Sequence, residues 1–344
     1  MATRKKIAGT KSINLALQGG GAHGAFAWGA LDTLLEDGRI DIEAISATSA
    51  GAMNAVVLAD ALTDGDAAHA RERLSRFWRA IADAGELYNP VKPMRDMFGN
   101  TTPVEQSPFY WMFDTMLRVF SPYQFNPYNF NPLRQVLEAQ VDFEKLRRTR
   151  GIKVHLCATN VETGRVRIFE RAELSVDTVL ASACLPMLFQ TIEIDGSHYW
   201  DGGYIGNPAI FPLIYGSTSR DVVIVHINPI VRHGVPKTAP EILNRINEIS
   251  FNSSLMREMR AIAFVTRLIE KKKLDASEMK QMLIHSIRAD EVMTAHSVAS
   301  KLSPDWKFLC GLKDSGRGVT QRWLNTHFGD IGKRSSVDLE AEFL

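Results

Sequence analysis

The chain has little that would tie it to a bilayer, an oxidising compartment or a nucleic acid. It holds three cysteines, Cys157, Cys184 and Cys310, far apart and odd in number. Neither a disulfide framework nor a metal-ligand spacing follows from them, and a reducing compartment is the simpler expectation. Net charge is +1, from 40 basic and 39 acidic residues, so there is no one-signed field to attract nucleic acid or an acidic substrate. The longest mostly apolar stretch, Ala50 to Leu62, contains Asn54 and Asp60 and is shorter than the ~20 residues a membrane span needs. A basic N-terminus (Arg4, Lys5, Lys6, Lys11) leads into an apolar run, Ile13 to Leu17, that is too short for a signal-peptide core. No G-x-x-x-x-G-K-[ST] occurs, which excludes a P-loop. These absences lead us to expect a cytoplasmic protein, touching a membrane at most from one side. They specify no oligomeric state.

What is present is ordinary globular material, 45% hydrophobic and 23% charged, enough for a sizeable core. Short apolar runs alternate with helical patterns. Ile13–Leu17, Ile42–Ala47, Ile152–Ala158 and Val222–Ile227 read as strands, the last a continuous apolar run suited to a central parallel position. Val166–Phe169 follows as the return of a hairpin, and Thr191–Ile194 with His198–Trp200 forms a second around Asp195-Gly196. Met282–Ile287 reads as a final strand. Helices are expected at Ala25–Glu36, Ala50–Leu62, Asp66–Ala82 (with Leu74, Phe77, Trp78 and Ile81 at helical spacing) and Ser253–Lys273. Two or three short helices are expected in Ser297–Leu344. The alternation implies an α/β fold, a mostly parallel central sheet flanked by helices.

We divide the chain into a core, residues 13–230, and a helical C-terminal extension, 231–344. Inside the core, residues 85–132 form an insert rich in proline and aromatics, including Phe109, Tyr110, Trp111, Phe113, Phe120, Tyr123, Tyr128 and Phe130. Either the insert packs irregularly on the core, or it is a cap whose apolar face meets acyl chains.

Three stretches carry chemistry, each at the end of an expected strand. Ala47-Thr48-Ser49-Ala50-Gly51 places a serine at a strand-to-helix turn, where its hydroxyl projects over the sheet end and a helix N-terminus favours developing negative charge. This is the nucleophile elbow G-x-S-x-G with Ala47 at the first position. If that position needs φ > 0, Ala carries a strain of ~1 kcal/mol; if it needs only smallness, the methyl is harmless. Gly51 lets the helix pack close to the strand. Gly19-Gly20-Gly21-Ala22-His23-Gly24 follows the first strand and opens a helix, and such consecutive glycines turn backbone N–H groups outward. The amides of Gly20, Gly21 and Ala22 are the candidate oxyanion donors. Asp201, in Trp200-Asp201-Gly202-Gly203, is the candidate base, aimed inward by a tight turn and able to take the serine proton directly. A Ser-His-Asp triad using His198 or His226 stays open. So does dinucleotide binding, since Gly19-x-Gly21-x-x-Gly24 matches that fingerprint and Asp41 lies near the ribose-acid spacing. Against it, Asp41 precedes the second strand where the ribose acid should follow it.

In this order the three blocks resemble the patatin-like phospholipase family, whose pattern is a glycine-rich oxyanion loop, then G-x-S-x-G, then D-G-G or D-G-A. Ala181-Ser182-Ala183-Cys184-Leu185-Pro186 resembles the family's A-S-x-A-x-P segment, and Ile194-Asp195-Gly196 precedes the Asp-Gly-Gly as expected. The resemblance covers about Ile13 to Asn228. It implies a three-layer fold and a Ser49–Asp201 dyad without histidine. It implies hydrolysis of phospholipid, lysophospholipid or another lipophilic ester, with no metal or organic cofactor. His23 departs from the Lys or Arg usual in the family's loop, so a fixed charge there becomes one that titrates near neutrality. Acyl transfer to another alcohol, or lipid binding without catalysis, are the alternatives on the same fold.

Overall fold

The two central strands are buried toward their C-terminal ends, over residues 13–17 and 44–47, where both faces of the sheet are covered. β1 (Lys11–Leu17) and β2 (Ile40–Ala47) run parallel, and β1 also pairs in parallel with β7 (Asp221–Val225). The computed structural model of the chain describes residues 9–88, 116, 119–274 and 279–343. β2 pairs in parallel with β3 (Lys153–Asn160), and β7 with β8 (Leu283–Ile287). Three shorter strands are antiparallel: β4 (Val166–Glu170) and β6 (Ser197–Asp201) both pair with β3, and β5 (Ile192–Ile194) pairs with β6. The order across the sheet is β5-β6-β3-β2-β1-β7-β8, with β4 on β3. Leu17 lies opposite both Ala47 and Val225, and Ala47 opposite Leu156. The C-terminal ends of β1, β2 and β7 thus lie level on one edge, where ligands of open α/β sheets bind.

Strand alternation sorts the core into two halves. Leu15, Leu17, Val223 and Val225 face the cluster built with α1 (Ala25–Asp37), α2 (Ala50–Asp64) and α3 (Ala67–Tyr88). Ala16, Val222 and Ile224 face the other, with Leu213, Leu255, Met259 and Phe343. The result is a three-layer α/β/α arrangement around a mixed, mostly parallel sheet. α1 ends at Gly38, which takes the left-handed cap conformation (φ 72°) usual for glycine there.

The C-terminal part is built into this frame. β8 is an edge strand of the sheet. The helix Trp306–His327 lies on α1, with Lys313 Nζ 4.4 Å from the Trp28 ring, the Trp306 ring 6.0 Å away, and an Arg317–Asp32 ion pair. Of the two or three short helices expected over Ser297–Leu344, the turn Ala299–Leu302 and the helix Leu339–Phe343 are short, while Trp306–His327 runs for 22 residues. The helix expected at Ser253–Lys273 begins much earlier and spans Ala239–Glu270. Thr238 caps it, exchanging hydrogen bonds with Glu241, and Pro240 sits in the first turn. Ile242, Leu243, Ile246 and Ile249 repeat at helical spacing along its first half but are exposed.

Of the insert, Phe109, Tyr110, Trp111 and Phe113 lie outside the described residues. Phe120, Tyr123, Tyr128 and Phe130 are exposed, and Tyr123 Oη meets Thr191 Oγ1 at 3.0 Å. Among the described residues no helix is long and apolar enough to cross a membrane.

Candidate active site

β2 ends at Ala47 and α2 begins at Ala50, so the chain must reverse its course within two residues. The turn is made at Ser49, with φ 56° and ψ −122°. A non-glycine residue at positive φ is held there by its surroundings. Thr48 Oγ1 donates to the Gly206 carbonyl at 2.7 Å. Ser49 N–H donates to Ser182 Oγ at 3.0 Å, and Ser182 Oγ donates onward to the Cys157 carbonyl at 2.7 Å. Ala47, by contrast, is a fully buried strand residue in register with Leu17 and Leu156, and its φ is not among the positive ones. The unusual backbone belongs to the serine. The first elbow position needs only a small side chain, so the strain entertained for Ala47 does not arise. Gly51 lies in the first turn of α2.

The glycine loop leaves β1 directly beside this turn. A β-carbon on Gly19 would sit 2.6 Å from Ser49 Cβ, so only glycine admits the serine at that distance. The Gly19 N–H is already used, donating to Asn207 Oδ1 at 2.6 Å, while its carbonyl accepts from Asn228 Nδ2 at 2.9 Å. Gln18 Oε1 accepts from the Ile227 and Asn228 amides at 2.8 and 2.9 Å, fixing the root of the loop to the end of β7. A turn of 3-10 helix, Gly21–Gly24, follows. Its first bond runs from His23 N–H to the Gly20 carbonyl at 3.2 Å. The amides of Gly20, Gly21 and Ala22 precede that ladder, as unsatisfied helix N-terminal donors do. His23 is buried, with Nε2 2.8 Å from Ser300 Oγ and its ring 5.7 Å from that of His296. Burial, Lys301 and His296 push its pKa well below the ordinary value. The imidazole is therefore neutral, and the charge expected to titrate near neutrality at this position is not there.

Asp201 closes β6 opposite Ala158 of β3. Its N–H donates to the Cys184 carbonyl at 2.8 Å and its carbonyl accepts from Thr159 Oγ1 at 2.8 Å. The turn Gly202–Tyr204 directs the Gly203 N–H onto Oδ1 at 2.7 Å. Oδ2 is buried and has no partner at full hydrogen-bonding geometry among the described residues. The side-chain donor acting on this carboxyl is the Ser49 hydroxyl. Burial raises the Asp201 pKa to about 6, against the opposing pull of the Gly203 amide, Ser49 and the Lys301 charge.

The other candidates are elsewhere. His198 lies on the surface between Glu162 (3.5 Å) and Glu193 (4.0 Å). His226 is buried against Ser286 Oγ at 3.1 Å and stacked on Phe343, and burial lowers its pKa to about 3. Asp41 is in the opening of β2, opposite Ser12, at the far end of the strand from Ser49. Several residues that hold the site were not singled out by pattern. Asn207, Asn228 and Lys301 reach it from distant parts of the chain. Ser182 stood within the Ala181–Pro186 segment, and only the fold shows that its hydroxyl grips the Ser49 amide.

The chain resembles VipD from Legionella pneumophila at 15% identity, covering 88% of this chain and 67% of that one, with a TM-score of 0.36. It resembles ExoU, solved in complex with SpcU from the type III secretion system of Pseudomonas aeruginosa, at 15% identity and a TM-score of 0.32. That match covers 92% of this chain and 52% of the other, so the chain spans about half of ExoU's length. No curated protein matches it. The family model for patatin-like phospholipases matches residues 15–214, from β1 through the elbow and the Asp-Gly-Gly turn to the helix before β7. That stretch is more than half of the chain, and the chain belongs to the patatin-like phospholipase family.

Proposed function

We propose that the chain is a serine acyl hydrolase for phospholipid, lysophospholipid or a related lipophilic ester, working through Ser49 and Asp201. The observation that carries this is the buried, unpaired Oδ2 of Asp201 beside a serine held at positive φ on a helix N-terminus. Asp201, ionised above about pH 6, accepts the Ser49 proton. Ser49 Oγ then bonds to the ester carbonyl carbon, and the electron pair of the C=O bond moves onto oxygen. The amides of Gly20, Gly21 and Ala22 and the positive end of α2 receive that oxyanion. Collapse re-forms the carbonyl and breaks the bond to the alcohol, which leaves with the proton held by Asp201. Water, giving a proton to the same carboxylate, attacks the acyl-enzyme. Ser49 departs with its proton restored and the fatty acid is released. No step calls on an imidazole or a cofactor.

Labelling with a fluorophosphonate probe tests the reading. Wild type is expected to label and Ser49→Ala not to, with loss of ester hydrolysis in the variant. Persistent hydrolysis by folded Ser49→Ala overturns the assignment.

A further inference from the structure

The glycine loop is covered by a part of the chain from well beyond the family match. The turn Ala299–Leu302 packs against the turn Gly21–Gly24. Gly21 has φ 58°, and a β-carbon on it would lie 2.3 Å from the Lys301 carbonyl oxygen. Ser300 Oγ holds His23 at 2.8 Å. The Lys301 ammonium donates to Asn228 Oδ1 and to Asn247 Oδ1, each at 2.8 Å, and stands 5.3 Å from the Phe251 ring. Asn228 in turn holds the Gly19 carbonyl. Phe251 is packed so closely on Gly203 that a β-carbon there would be 2.4 Å from the ring. One residue therefore separates Lys301 from the first glycine of the loop, and one from the turn that aims Asp201.

A desolvated cation is costly unless something uses its charge. Both hydrogen-bond acceptors of Lys301 are neutral amides. Glu248 on the long helix is engaged by Arg232 and Arg245. The loop itself supplies no charge, since His23 is neutral.

We propose that Lys301 is the cation of the oxyanion loop, a positioning residue that fixes the Gly19–Ala22 backbone through Asn228 and sets a positive charge beside the attack of Ser49. The inference rests on the Ser49–Asp201 reading. In a low-dielectric site such a charge stabilises the negative charge developing on the ester oxygen.

The charged and titratable groups facing Lys301 are Asp201 at the end of β6, Glu248 with its two arginines on and beside the long helix, and His23 of the loop, itself next to His296. Burial lowers the Lys301 pKa to about 8 although Glu248 and Asp201 pull the other way. The ammonium is thus lost as pH rises past about 8, while Asp201 is gained as base above about 6.

The test measures kcat and KM from pH 5 to 10 on a neutral monoacyl ester, following released fatty acid. For Lys301→Met, kcat is expected to fall roughly tenfold to a hundredfold with KM changed less than about threefold. The alkaline limb near pH 8 disappears, and the acid limb moves to higher pH because a charge that lowers the Asp201 pKa is gone. Lys301→Arg restores much of kcat and carries activity to higher pH, since guanidinium keeps its proton. Lys301→Met at wild-type kcat, or an alkaline limb unmoved in Lys301→Arg, overturns the proposal. If Lys301→Met does not fold, the limb in Lys301→Arg decides alone. Ser49→Ala run in parallel separates the two readings. If it is inactive while Lys301→Met is fully active, only the lysine's role falls; if it is active, the dyad falls.

Discussion

The Ser49 amide donates to Ser182 Oγ at 3.0 Å, so the elbow hangs from a side chain that itself donates to the Cys157 carbonyl at 2.7 Å. Ser182→Ala strands both backbone groups in a buried region, at about 1–3 kcal/mol each. Melting is expected several degrees lower, and fluorophosphonate labelling of Ser49 about tenfold slower under conditions where the variant is still folded. Differential scanning calorimetry and timed labelling check the two separately. Unchanged labelling would show that the turn holds its shape without Ser182.

Asp201 is destabilising at the pH where it would act as the proposed base. A carboxyl whose pKa rises from 3.8 to about 6 on folding favours the folded state when protonated. That contribution is complete below about pH 4 and is lost as pH rises through about 6, a difference of about 3 kcal/mol. Asp201→Asn does not ionise, so its stability relative to wild type is expected to grow between pH 4.5 and 7.5, with the variant the more stable at the upper end. Urea unfolding at both pH values measures the difference; a gap independent of pH would contradict the buried, perturbed carboxyl. Hydrolysis by wild type is expected to rise over the same interval, and Asp201→Asn to be inactive throughout.

Ala47→Gly restores the commoner elbow sequence and is expected to improve nothing. Ala47 is a buried strand residue with an ordinary backbone. Removing its methyl leaves a small void and a freer unfolded chain, a loss of about 1 kcal/mol. Turnover should stay within about twofold of wild type. A large gain in kcat would mean that the methyl obstructs substrate.

His198→Ala separates a dyad from a triad. The ring sits at the surface beside Glu162 and Glu193, where a substitution typically changes stability by less than about 0.5 kcal/mol. Full hydrolytic activity is expected. Loss of turnover in a folded His198→Ala, with Asp201→Asn active, would require a histidine base.

The parts of the site that were legible in sequence are those whose chemistry is local. Gly19 to Gly24, Ser49 and Asp201 each sit in a short run where backbone geometry and residue size dictate one another, and the fold brings the three runs to one edge of the sheet. What sequence does not display is support from a distance. Asn207 and Asn228 look like ordinary loop residues until they are seen holding Gly19 from both sides. His23 reads as a titrating group until its burial is known. The first half of the long helix is legible as well, since Ile242, Leu243, Ile246 and Ile249 stand at helical spacing behind the start signal Thr238-Ala239-Pro240-Glu241; only their exposure is hidden from the sequence.

The reach of the chain's last third into the glycine loop bears on the order in which the molecule can become active. A ribosome releases the elbow early and Asp201 midway, while β7, β8 and the turn around Lys301 emerge later. A nascent or truncated chain ending at residue 214, where the family match stops, has both Ser49 and Asp201 but leaves β1 without its β7 neighbour and the loop without its cover. If Ser49 and Asp201 act as proposed, such a fragment is expected to be inactive although it carries both, because the support of β1 and of the glycine loop lies downstream of it.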